Sequence, residues 1–113
     1  MLTNTAPVAT NEIFANLTEI SAGNGYSAGG TQATISTSSH SSGTYKLVLA
    51  DVVFTASGGT IGALRYAALY NDTPTSPADP LIAWWDYGSS ITLLDTETLT
   101  WDASASTGVL TIA

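Results

Sequence analysis

The chain has 113 residues, nine acidic residues against Lys46 and Arg65 as the only cations, a formal charge of −7 and no cysteine. That length fits one domain with one core. Binding to nucleic-acid phosphates or to anionic membranes is disfavoured because no cationic cluster exists, and disulfides and thiolate metal sites are ruled out. With only 10% charged residues, the 31 Ser and Thr side chains must carry much of the surface solubility.

The N-terminal stretch shows no basic segment followed by an apolar run and a small-residue cleavage site, so synthesis in a cytoplasm is expected. No apolar run approaches the ~18–20 residues of a membrane span. Residues 1–30 read as an N-terminal arm and Gly-rich loop. Leu2 to Thr10 is polar and extended in character, with Pro7 excluding a helix interior. In Asn11 to Ile20 the apolar residues Ile13, Leu17 and Ile20 fall at i, i+4 and i+7, which permits one short helix capped by Thr10 or Asn11. An irregular extended path is the alternative, because ten residues make a marginal helix. Ser21 to Gly30 holds four glycines and reads as a loop with Tyr26 as its bulky anchor.

From Thr31 the period becomes two. Strands are expected over Thr31–Thr37, over Tyr45–Phe54 as one long strand or one broken near Asp51, and over Ile61–Tyr70 as one strand or a pair. Ser38 to Gly43 and Ser57 to Thr60 read as turns. The proline-rich connection Asn71 to Pro80 excludes a central strand. Leu81–Tyr87, Ile91–Leu94, Thr98–Asp102 and Val109–Ile112 complete the set, with Gly88-Ser89-Ser90 read as a turn. About seven or eight short strands with frequent turns predict an all-β fold, an antiparallel β-sandwich or jelly roll over residues 31–113 with an extended N-terminal arm.

Motifs for chemistry are scarce. His40 sits in a serine-rich stretch, a poor place to orient an imidazole against a carboxylate and an activated serine. Gly23-Asn24-Gly25-Tyr26-Ser27-Ala28 matches a loose dinucleotide pattern, but no buried strand precedes it and no helix follows. Asn71, Asp72 and Asp79 could offer some oxygen ligands to a hard cation, without any recognisable spacing. No catalytic residue, cofactor or metal site is therefore assigned.

The aromatic residues carry more information. In Leu81–Tyr87 a strand sends Trp84 and Trp85 to opposite faces, Ile82 and Trp84 siding with Asp86 and Leu81, Ala83 and Tyr87 with Trp85. One tryptophan must then be exposed or cover a partner, and Trp and Tyr dominate protein contacts. Tyr70, Trp84, Trp85, Tyr87, Ile13 and Leu17 are the candidate protein-interface residues.

The runs Arg65-Tyr66-Ala67-Ala68-Leu69-Tyr70-Asn71-Asp72-Thr73, Asp79 to Leu93 and Gly108 to Ala113 resemble small virion proteins of tailed bacteriophages. So does Leu17 to Tyr26 with Gly29-Gly30, and the likeness spans about residues 16–113. Thr100-Trp101-Asp102 departs from it, a smaller or differently ordered pair being expected around the acid. The resemblance implies a non-enzymatic capsid decoration (cement) protein on the capsid exterior, with the major capsid protein as partner and homo-oligomers expected. A tail or head-fibre component is the near alternative. A carbohydrate-binding β-sandwich, stacking Trp85, Tyr87 or Trp101 on sugar rings, is a different class. Acidic charge suits the outside of a particle whose DNA lies within. Scarce charge also leads to the expectation that docking depends weakly on salt.

Overall fold

The computed structural model describes residues 1–103, 108 and 110–112. Among them the protein is mostly β, with three small antiparallel sheets, no α-helix and no closed barrel. The chain divides into two compact units, residues 1–30 with 55–98 and residues 31–54 with 99–113.

The first unit holds a sheet in the order β1 (Leu2–Thr3), β5 (Ile61–Tyr70) and β6 (Leu81–Leu93). Period two governs β5: Leu64, Tyr66 and Ala68 are buried, while Arg65, Ala67 and Leu69 on the other face are half-buried. Leu2 pairs with Ala67 and Thr3 with Tyr66. Leu2, Thr3, Ile61 and Leu64 are the largest fully buried side chains. The start of the expected arm is thus an inner part of this unit. Its physical reason is pairing: β1 satisfies the backbone of β5, and the Thr3 hydroxyl donates to the Thr18 carbonyl. The Met1 amino group donates to the Ala68 carbonyl at 2.8 Å, and burial lowers its pKa against the opposing pull of Glu19.

The helix permitted over Asn11–Ile20 is a single 3-10 turn, Phe14–Asn16. Asn16 Oδ1 accepts from the amides of Glu12 and Ile13 at 2.9 and 3.1 Å, and Leu17 is already extended. On the N-terminal side, Ile13 bridges to Pro80, Phe14 N donates to Asp79 O and Leu81 N donates to Glu12 O. Backbone pairing with the proline-rich connection outweighs the marginal helix.

Tyr26 anchors the glycine-rich loop as expected and is buried. Its hydroxyl accepts from Leu2 N at 2.9 Å and donates to Glu19 Oε1 at 2.7 Å. Burial first, and then the Glu19 carboxylate, raise the phenol's pKa and keep it a neutral donor, whereas the bond from Leu2 N works the other way. Asn24 O accepts from Ser57 N at 2.9 Å, and Asn24 Nδ2 donates to Thr60 O at 2.8 Å. The Gly23–Ala28 stretch is therefore a docking turn against residues 55–60 of the same unit.

The second unit holds β2 (Ile35–Ser41), β3 (Thr44–Leu49) and β8 (Leu110–Ile112), in the order β2-β3-β8. A separate pair joins β4 (Val52–Thr55) and β7 (Thr98–Trp101). Of the two readings of Tyr45–Phe54 the broken one holds: the break falls between β3 and β4, where Asp51 Oδ1 accepts from Ala103 N at 2.8 Å. In β4 the alternation is clean, with Val52 and Phe54 buried and Val53 and Thr55 exposed.

The turn read at Ser38–Gly43 is a correction. Ser38 to Ser41 continue β2, opposite Leu47, Lys46, Tyr45 and Thr44 in turn. Only Ser42 and Gly43 turn, both with positive φ (50° and 82°), as a two-residue hairpin of twist-matched type requires. His40 therefore lies on an exposed strand rather than in a loop. Val109 of the last expected strand lies outside the described residues.

Candidate functional site

β5 and β6 pair with Ala67 opposite Trp85 and Ala68 opposite Trp84. Beyond Tyr66↔Asp86 the register jumps to Leu64↔Ile91, so Arg65 alone faces the four residues Tyr87–Ser90. The expected turn at Gly88-Ser89-Ser90 is thus a wide bulge inside one continuous strand. Gly88 takes φ +102°, and its N–H donates to Asp86 Oδ1 at 2.8 Å. A side-chain acceptor two residues back supports the kink, and glycine avoids the Cβ penalty there. Bulges of this kind re-aim side chains, and Tyr87 is 60% exposed.

Around the bulge four side chains form a chain of contacts. Trp84, 47% exposed, meets Tyr66 edge-to-face with ring centroids 5.8 Å apart. The Arg65 guanidinium lies 5.3 Å from the Tyr66 ring centroid. Arg65 Nε and Nη2 donate to Asp86 Oδ1 and Oδ2 at 2.8 and 3.0 Å, a bidentate pair. Ile82, 43% exposed and two residues from Trp84, extends the strip. The result is an apolar and aromatic surface bordered by one fixed ion pair.

Arg65 holds the Asp86 carboxyl below the usual carboxylate range, with help from the Gly88 N–H. Both side chains of the pair are 38% exposed, so water screens it and its share of stability is small. The sign is that of a depressed acid: the contribution is present above the unfolded pKa and lost as pH falls through the folded one. In a carboxyl NMR titration the Asp86 midpoint is expected below that of an ordinary aspartate, rising in Arg65→Gln. Identical Asp86 titrations in the two proteins would show that the ion pair does not hold in solution.

The other candidate residues separate from this strip. Tyr70 is half-buried, its hydroxyl donating to Gly29 O at 2.8 Å and its ring 4.8 Å from that of Phe14. Burial, then the charges of Asp79, Glu19 and Asp72, raise its pKa. Ile13 and Leu17 are half-buried in the segment that pairs with the connection before β6. Trp85 is half-buried on the face opposite Trp84. The structure thus brings Trp84, Ile82, Tyr66, Arg65 and Asp86 together around the Tyr87 bulge, while Tyr70 contacts Phe14 and Gly29 and Ile13 pairs through its backbone with Pro80. Arg65 and Tyr66 were missed from sequence because only the pairing register brings them beside Trp84 and Asp86.

Among the described residues no group of three or more His, Asp or Glu side chains is placed to hold a metal ion. No helix among them is long and apolar enough to cross a membrane. No family model, curated protein or solved structure matches the chain.

Proposed function

We propose that the protein is a non-enzymatic structural component of a tailed-phage virion that docks on the outer capsid surface and stabilises the shell, with the major capsid protein as its partner. The observation that carries the reading is the exposed Ile82–Trp84 strip beside the Tyr87 bulge. An exposed tryptophan next to an immobilised Arg–Asp pair has the makeup of an interface anchor. The resemblance of Arg65–Thr73 and Asp79–Leu93 to phage virion proteins supports the same assignment. The sandwich or jelly-roll arrangement of the sheets belongs to this proposal as well.

Charge supports the outer face. The first unit carries seven acids against Arg65, so a DNA-facing position would be electrostatically opposed. Purified protein is expected to rebind particles lacking it and to raise their heat resistance. Trp84→Ala should weaken that rebinding at least tenfold, equivalent to ~1.4 kcal/mol or more. Occupancy should change little between low and moderate salt, because apolar burial dominates the contact. Unchanged occupancy in Trp84→Ala, or steep loss with salt, would count against this surface. Density on the tail or on a head fibre would favour the near alternative.

A second reading follows from the same geometry. An exposed indole beside a bidentate Arg–Asp pair offers a sugar both a stacking face and hydrogen-bonding groups. Glycan-array binding that is lost in Trp84→Ala, with no rebinding to particles, would select it.

A further inference from the structure

Strand β2 is a sheet edge almost without the devices that close an edge. In the order β2-β3-β8 its outer side carries no strand among the described residues, and all seven residues Ile35–Ser41 are exposed. An edge strand leaves a row of N–H and C=O groups unpaired, a template for another strand. Proteins usually blunt such edges with charge, proline, bulges or a covering segment. β6, an edge of the first unit's sheet, has both Asp86 and the Tyr87–Ser90 bulge. β2 has neither proline nor acid, and its one irregularity lies between Ile35 and Thr37. From Thr37 to Ser41 its pairing with β3 is regular, and His40 is the one ionisable side chain.

The distribution of charge indicates which strand can add there. Seven of the nine acids lie in the first unit, and β2, β3 and β8 contain none. Like charges directly opposite each other destabilise a strand pair. Two copies of a chain with net charge −7 can therefore meet along β2 without setting carboxylates against carboxylates. A two-fold antiparallel contact is self-complementary, and here it sets small hydroxyl side chains mainly against one another.

We propose that β2 pairs antiparallel with β2 of a second copy, about a two-fold axis, so that the two β2-β3-β8 sheets become continuous. This contact involves the second unit alone and stands independently of docking through Trp84. So short a strand pair falls below the ~1,200 Å² of standard stable interfaces, so dissociation in the range of ~1 μM to ~1 mM is expected.

The absence of cysteine makes the test clean. Single cysteines placed in turn from Thr37 to Ser41 report proximity without background. At the two-fold centre the paired Cα atoms lie ~4.5–5.5 Å apart, within disulfide range. One of these variants is expected to form a covalent dimer under mild oxidation at least ~10-fold faster than Thr73→Cys, an exposed control outside the sheet. Sedimentation equilibrium of the full chain should show the mass rising from monomer toward dimer between ~1 μM and ~1 mM. The double variant Thr37→Lys/Ser39→Lys should stay monomeric with an unchanged thermal midpoint. A monomeric parent chain across that range overturns the proposal, as does cross-linking no faster than the control. Association that survives the lysines but is lost in Trp84→Ala also overturns it, assigning the self-contact to β6. If the lysine variant fails to fold, the cysteine series decides alone.

Discussion

Leu64→Ala is expected to lower stability by about 2–5 kcal/mol, read as a fall in the urea midpoint with little change in slope. Leu64 is 1% exposed and sits on the buried face of β5 with Tyr66 and Ala68. Truncation removes its transfer free energy and leaves a cavity that a strand held in register with β6 cannot readily collapse. A domain of this size has a total stability of about 5–15 kcal/mol, so the loss is a large fraction of the whole. A change below ~1 kcal/mol would mean that β5 is less tightly covered in solution than its burial indicates.

Gly25→Ala is expected to cost about as much, by a different route. Gly25 has φ +97°, and a Cβ built there would lie 2.1 Å from the Thr55 carbonyl oxygen. Left-handed backbone costs an L-residue roughly 1–2 kcal/mol, and forced overpacking adds about 1–3 kcal/mol. The contact is with backbone, so no side chain can swing aside. Gly62→Ala is the matched control, with open space around its Cβ and no positive φ. It should be neutral or slightly stabilising. Thermal midpoints of the two variants that moved equally would refute the assignment of the 23–26 turn as a tight docking element.

How far the fold was legible depends on which interactions are local. Ile61–Tyr70 keeps its expected outer bounds, and pairing with β6 makes it one strand where the sequence left one strand or two open. The connection with its three prolines was written in single residues, whereas the break near Asp51 was one of two readings that the sequence left open. Ser38–Ser41 was misread because a serine run favours turns in isolation, whereas in the fold β3 supplies the partner strand. Gly88-Ser89-Ser90 misled for a related reason: glycine and serine signal a bend, but only the register with β5 decides between a hairpin turn and a bulge. The Asn11–Ile20 helix lost to backbone bonds with Asp79, Pro80 and Leu81, more than sixty residues away in sequence. Within the candidate surface, the exposure of one tryptophan in the Trp84–Trp85 pair followed from strand alternation. The Arg65–Asp86 clamp did not, since no spacing rule links residues on different strands.

The way the chain is shared between the two units has a consequence for its synthesis. Each unit is made of two separated stretches, 1–30 with 55–98 and 31–54 with 99–113. A ribosome releasing the chain from its N-terminus exposes β1 long before β5 exists to receive it, and β2 and β3 long before β8. Neither unit can close until distant parts of the chain have emerged. Such non-local pairing slows folding and lengthens the time that open strands such as β2 are available to neighbouring nascent chains. No single cut in the chain can release either unit intact.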